Sequence, residues 1–222
     1  MSQAGKKNRP KVVVFDFDGT LVDTMQGFAD IAADVLFKRY EIPREDGRLR
    51  YLETSGIPFF QQLEVIRPRG VHNRVCADEF ESRKLEGFFL AAPTQATLAG
   101  LSCLRQAGIK VAVSSNNFQE NIDAFVARYP MPVDIALGFD LAQGQEKGRP
   151  HFEKIASEFQ VTADEMLFCG DSLADGDKAG ASGLPFVGLS GTFTRAQFLS
   201  RFPDARVVES VQELAQKLMQ GW

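Results

Sequence analysis

Val12-Val13-Val14-Phe15-Asp16-Phe17-Asp18-Gly19-Thr20-Leu21-Val22-Asp23 is the stretch that decides the reading of this chain. Its β-branched and aromatic start predicts a strand buried on both faces, the habit of a parallel sheet. Two aspartates stand at the exit, two residues apart. A strand repeats every two residues, so both carboxylates can project the same way. Gly19 then lets the backbone turn sharply and approach a ligand. Two carboxylates held together resist ionising unless a cation lies between them. The stretch therefore implies a bound metal or a tuned pair of acid and nucleophile. An Asp-x-Asp-Gly turn stabilised by local hydrogen bonds is the plain alternative. A calcium loop of the EF-hand kind is not, because Thr20-Leu21-Val22 supplies none of its later ligands.

Working outward, the 222 residues suffice for one large α/β domain, or a core with a small insert. Hydrophobic residues make up 44% and charged residues 24%, a globular balance. The net charge of −4 argues against a nucleic-acid footprint. Residues 1–10, with Lys6, Lys7 and Arg9, read as a solvated tail rather than a targeting segment, since no long apolar stretch follows. No run approaches membrane-spanning length. Cys76, Cys103 and Cys169 are far apart and odd in number, which predicts reduced thiols and a cytoplasmic protein. His72 and His151 form no zinc spacing, and no nucleophile-elbow sequence accompanies them. Both read as structural or exposed.

After Asp23 the apolar spacing turns helical through Phe28, Ile31, Ala32, Val35 and Leu36, until Pro43 breaks it. Further helices are predicted from Pro58 through Ile66 and from about 73 to 89. No strand is evident between about 23 and 91, which predicts an all-helical insert. Beyond Pro93 strands and helices alternate. A helix through Leu98, Leu101 and Leu104 ends at Gly108, and strands are predicted over 109–114, 134–138, 166–170, 185–190 and 205–208. Helices are predicted around Ile122, over 151–159 and over about 175–181. Ser210 and Glu213 have the spacing of a capping box for a last helix. Such alternation specifies an α/β doubly wound parallel sheet, a Rossmann-like core. The predicted division is 1–22 with 92–222 as the α/β core, and 23–91 as the insert.

Ligands of open parallel sheets bind beyond the carboxyl ends of the strands. Four polar clusters fall there: Asp16 and Asp18; Ser114-Ser115-Asn116-Asn117; Lys147; and Gly170-Asp171-Ser172-Leu173-Ala174-Asp175. Acids, a hydroxyl and a lysine converge on one edge, a combination that suits an anion beside a divalent cation. In order and type the four clusters resemble the four motifs of the haloacid dehalogenase superfamily. The resemblance spans nearly the whole chain, and the helical insert is similar to the cap of the phosphoglycolate phosphatase and β-phosphoglucomutase branch. The third motif departs, because relatives often carry Lys directly before Pro, whereas Lys147-Gly148-Arg149-Pro150 offers two cations. Lys147 is favoured as a compact point charge, with Arg149 the alternative. Ser115 is favoured over Ser114 as lying farther beyond the strand. Bland roles stand beside these: Asp175 and Asp23 as helix N-caps, and Asn116 and Asn117 as turn residues.

The resemblance implies a phosphatase acting on a small phosphorylated metabolite through an aspartyl-phosphate. Asp16 would be the nucleophile and Asp18 the acid and base, with Ser115 and Lys147 completing the catalytic set. Gly19, Thr20 and Asn116 would assist in holding phosphate. Mg²⁺ would be bound by Asp16, Asp18 (through its backbone carbonyl), Asp171 and, farther out, Asp175. The cap would close over the site, with Thr54, Ser55 and Gly56 as candidate substrate contacts. A phosphomutase retains every motif. A dehalogenase has no need of Asp18. A phosphonatase would want a Schiff-base lysine in the cap, for which Lys84 is a poor candidate. A receiver-like phospho-acceptor module would lack the insert. No nucleic-acid or membrane partner is expected, and the chain is expected to be a monomer or homodimer.

Overall fold

The computed structural model describes residues 9–222, so Lys6 and Lys7 of the basic tail lie outside it. The described residues form six strands: β1 (Val12–Phe15), β2 (Lys110–Phe118), β3 (Ile135–Phe139), β4 (Met166–Gly170), β5 (Phe186–Leu189) and β6 (Arg206–Val208). They form one parallel sheet in the order β3-β2-β1-β4-β5-β6. The chain winds outward from β1 on one side, then returns to lay β4 on the other. The topological switch therefore falls between β1 and β4, where doubly wound sheets bind ligands.

Between β1 and the next strand come α1 (Met25–Tyr40), α2 (Arg44–Glu53), α3 (Phe59–Ile66), α4 (Asn73–Phe88) and α5 (Gln95–Gln106). The remaining helices are α6 (Gln119–Arg128), α7 (Arg149–Phe159), α8 (Leu173–Ala181), α9 (Arg195–Arg201) and α10 (Val211–Met219). Two-residue alternation divides the core. Val13, Phe15, Val111 and Val113 pack on one face with Leu101, Phe125 and Leu214 of α5, α6 and α10. Val12, Val14, Ala112 and Phe168 pack on the other with Phe152 and Ile155 of α7 and Ala179 of α8. Both faces of β1 are buried, as its unbroken apolar run requires. The first of these clusters continues without interruption into α1, α3 and α4 through Phe28, Leu63, Phe80 and Phe88.

Several local expectations are corrected. The strand expected to stop at Ser114 runs to Phe118, with a register irregularity between those residues. Asn116 and Asn117 are therefore extended rather than in a turn. Ser172 caps α8 by accepting the Asp175 N–H, and Asp175 at the third helical position returns a bond to the Ser172 N–H. Asp175 is thus one half of a capping box and not the N-cap. Thr24, not Asp23, precedes α1, and its side chain makes no capping bond. Ser210 caps α10, but the Glu213 carboxylate accepts from the Glu209 N–H instead of closing the box on Ser210. The expected helix starts shift to Arg149 and Leu173.

Candidate active site

Asp16 and Asp18 leave the end of β1 with Phe17 between them. Phe17 turns into the core, edge-on to Phe125 at 4.9 Å and tilted against Phe88 at 5.6 Å. That anchor fixes the alternation and turns both carboxylates toward one cavity. Gly19 has φ 79°, and a Cβ there would overlap the Asp171 carboxylate. The turn after β1 can approach β4 this closely only with glycine.

Lys147 arrives from the segment before α7. Its Nζ donates to Asp16 Oδ1 at 2.6 Å and pairs with Asp175 Oδ1 at 2.6 Å, with its side chain almost wholly buried. Asp175 Oδ1 is buried, and the Lys147 ammonium is its charged partner. Arg149 is mostly exposed and meets only Glu153 at 3.8 Å. Of the two cations in the third cluster, Lys147 is the one inside the site.

Both oxygens of Asp18 are occupied. Thr24 Oγ1 donates to one at 2.7 Å, and Asn117 Nδ2 donates to the other. Thr20 Oγ1 donates to Asp16 Oδ2 at 3.4 Å. Ser115 is fully buried and accepts the Asn117 N–H, which leaves its hydroxyl proton to donate elsewhere. Ser114 belongs to a different network, with Oγ 2.9 Å from His151 Nδ1. His151 Nε2 lies 3.0 Å from the Gly138 carbonyl. That carbonyl can only accept, so Nε2 carries the proton and Nδ1 accepts from Ser114. His151 is thus a neutral cross-link between β2, β3 and α7.

The charges are costly to bury. Burial raises the Asp16 carboxyl to about 6 against the pull of Lys147. Burial likewise raises Asp18. Asp171 is pushed well above the usual carboxylate range by burial, then by Asp16 and Asp175. Burial opposes the Lys147 charge, but Asp16 and Asp175 overcome it and raise its pKa. One oxygen each from Asp16, Asp171 and Asp175 lies within 4.8 Å of the others. Three clustered, buried carboxylate oxygens are a hard donor set that fits a small divalent cation such as Mg²⁺. Asp18 stands outside this group, its carboxylate being held by Thr24 and Asn117.

The far side of the cavity comes from the helical insert. Phe28, Tyr51, Ser55, Gly56, Phe80 and Lys84 line it, opposite Asp16, Asp18, Asn116, Lys147 and Asp171. Lys84 is the residue undervalued by sequence reasoning. Its side chain is 11% exposed, its ammonium stands over the Phe28 and Phe80 rings, and its charge lowers Asp18. Thr54 does not face the cavity; its hydroxyl donates back to the Arg50 carbonyl at 2.7 Å and lies 2.9 Å from Gln62 Oε1. Thr192, which donates to Asp171, was not foreseen either. It sits in the Ser190-Gly191-Thr192 loop after β5, and a polar loop at a strand exit was the available signal.

Residues 13–189 match the haloacid dehalogenase-like hydrolase family. The chain belongs to that family. A phosphoglycolate phosphatase of Salmonella paratyphi A is 30% identical over 215 residues, covering 80% of each chain. Another, from Rhodospirillum rubrum, is 26% identical over 199 residues, with 84% of this chain and 82% of the relative covered. A crystal structure from Lactobacillus delbrueckii subsp. bulgaricus superposes with a TM-score of 0.80 at 18% identity, covering 95% and 99% of the two chains. CbbY from Rhodobacter sphaeroides, solved with phosphate, gives 0.69 at 19% identity, with 92% and 96% covered. These two likenesses concern the fold. Family membership and the phosphatase relatives together support a phosphoric monoester hydrolase.

Proposed function

We propose that the chain is a Mg²⁺-dependent phosphatase that hydrolyses small phosphomonoesters, phosphoglycolate-like esters among them, through an aspartyl-phosphate on Asp16. The observation that carries this reading is the Asp16 carboxylate at the end of β1, bonded to Lys147 and beside the Asp171 and Asp175 oxygens. Asp16, Asp171 and Asp175 would hold the metal, with the Asp18 carbonyl assisting. When bound, it neutralises carboxylate charge and lets a phosphate dianion approach.

The chain's own groups account for the rest. Asp16 Oδ forms a bond to phosphorus as the bond from phosphorus to the ester oxygen breaks. Lys147 would stabilise negative charge on the transferring group, and the Ser115 hydroxyl would donate to it as well. Asn116, Thr20 and the N–H groups near Gly19 assist in holding it. Asp18 gives its proton to the leaving alkoxide. Its raised pKa suits an acid, and Thr24 and Asn117 fix its orientation. The Asp18 carboxylate then takes a proton from water, which attacks phosphorus, releases inorganic phosphate and restores Asp16. The helical insert acts as a cap that excludes bulk water, with Lys84, Ser55 and Gly56 facing the substrate. Three free cysteines support a cytoplasmic setting.

The test is turnover of p-nitrophenyl phosphate and a panel of small phosphomonoesters, with and without chelator, for the native chain and Asp16→Asn. Native turnover that needs Mg²⁺ and disappears in Asp16→Asn is expected. Chelator-resistant turnover in a metal-free preparation, or full activity of Asp16→Asn with deamidation excluded, would refute the mechanism.

A further inference from the structure

Gly56, in the turn between α2 and α3, offers its carbonyl to two side chains of the α/β core. Asn116 Nδ2 donates to it at 3.1 Å and Lys178 Nζ at 2.9 Å. Gly56 has φ 92°, and a Cβ there would overlap the Ser172 hydroxyl, so the turn is seated directly on the start of α8. Lys178 lies one helical turn beyond Asp175 on α8. Its stem crosses Gly148, whose virtual Cβ would lie 3.4–3.8 Å from three of its carbons. Gly148 itself, at φ 115° and ψ −140°, holds a backbone conformation that glycine favours. Lys178 thus touches the segment carrying Lys147, belongs to the helix carrying Asp175, and grips the insert.

The cavity beneath this contact measures only about 60 Å³. Sites that hold organic ligands are usually several hundred Å³. A cavity this small leaves little room for a phosphomonoester with the insert seated as it is. Withdrawal of the insert must break the two bonds to Gly56.

We propose that Lys178 and Asn116 form a clasp on the Gly56 carbonyl that holds the insert closed during turnover, with Lys178 as a positioning residue. The proposal rests on the phosphatase reading above, and adds a residue that touches neither phosphate nor metal ligand. A charge-assisted hydrogen bond is strong enough to bias closure about tenfold, yet weak enough to be broken in each cycle. Lys178 reaches Gly56 only when the turn is seated, so closure is registered on the same helix that positions Asp175.

The experiment compares the native chain, Lys178→Met and Lys178→Arg, all with Mg²⁺, by backbone hydrogen exchange and by steady-state kinetics on a small phosphomonoester. In Lys178→Met, exchange over residues 51–60 should quicken about tenfold while the sheet strands keep their protection. Its kcat/KM should fall by a similar factor, and Lys178→Arg should recover part of both. Unchanged exchange over 51–60 overturns the clasp, and so does faster exchange spread over the whole chain, which marks a merely structural lysine. Faster local exchange with unchanged kcat/KM overturns the positioning role. If the native chain turns over no phosphomonoester, the phosphatase reading fails, while the exchange comparison still decides whether the clasp exists.

Discussion

Replacing Asp171 with Asn should make the metal-free protein more stable, although most substitutions of buried residues do the opposite. The reasoning starts from distance. Oxygens of Asp16, Asp171 and Asp175 lie within 4.8 Å of one another. A pair of unit negative charges at that separation repels by roughly 3.5 kcal/mol at an effective dielectric of 20. Asp171 faces two such neighbours. Lys147 offsets part of this, although its direct contacts are with Asp16 and Asp175 rather than Asp171. Asn is nearly the same size, and its side-chain oxygen can still accept the Thr192 hydroxyl. Allowing for partial protonation of the native carboxyl, a gain of about 3 kcal/mol remains. For a chain of this size that corresponds to a Tm rise of roughly 6–12 °C. The assay is thermal unfolding at pH 7 in chelator. The sign also fixes the pH window. Folding raises the Asp171 pKa, so the charge penalty exists only above the ordinary carboxylate range, and the difference should shrink as pH falls toward about 4 and vanish below it. Adding Mg²⁺ should stabilise the native chain more than the variant and narrow the gap. An Asp171→Asn protein that melts at or below the native Tm in chelator refutes the account of the site as a strained carboxylate cluster.

Lys147→Met should abolish turnover and destabilise the chain by about 3 kcal/mol, because it leaves Asp16 and Asp175 buried without their cation; Arg149→Met, at an exposed position, should change both by less than about 0.5 kcal/mol, as read from kinetics and denaturant titration. Burial lowers the His151 pKa to about 4, so its neutral form contributes stability that is intact above about pH 6.5 and lost as pH falls toward 4. Between pH 7 and 4 that loss approaches about 3 kcal/mol, and His151→Gln should lack it in denaturant titrations at the two pH values.

The sheet was legible because its strands differ chemically from everything around them. Val12–Phe15 and Met166–Gly170 are short, apolar and flanked by turn residues, and both were placed to within a residue. Where burial does not impose a period, the sequence was mute. The α2 helix has Arg44, Glu45, Asp46 and Gly47 in its first turn and buries only Gly47 and Tyr51, so no apolar stripe announces it. Gly47 is there for closeness: a Cβ would sit 3.2 Å from the Ala33 backbone of α1. The end of β2 failed for the opposite reason. Ser114-Ser115-Asn116-Asn117 has the composition of a turn, yet pairing of Phe118 with Phe139 keeps it extended. In the site, the four acids follow strand exits and could be read from chain order. Asn117, Thr192, Lys84 and Lys178 reach their positions through packing between segments 21 to 122 residues distant from their partners, which no local pattern encodes.

Charge count explains why the pieces come from such distant segments. The ends of β1 and β4 and the first turn of α8 bring Asp16, Asp18, Asp171 and Asp175 together, Asp18 half-buried and the other three buried, against one directly bonded cation, Lys147. A phosphate dianion meeting that set alone would be repelled by the group meant to attack it. Acids on adjacent strands suffice to make a nucleophile, an acid and a metal cradle, and parallel pairing of β1 with β4 fixes their register. Cations must then be added from outside that frame. Lys147 is supplied by the segment before α7, and Lys84 by α4 across the cavity. Because Lys84 belongs to the insert, the positive charge near Asp18 depends on the insert being seated, and so does the exclusion of water that makes each charge count for more. The seated insert and the acid pair are therefore one electrostatic unit, so loss of the Lys178 bond to Gly56 should be felt at Asp18 although Lys178 does not line the cavity.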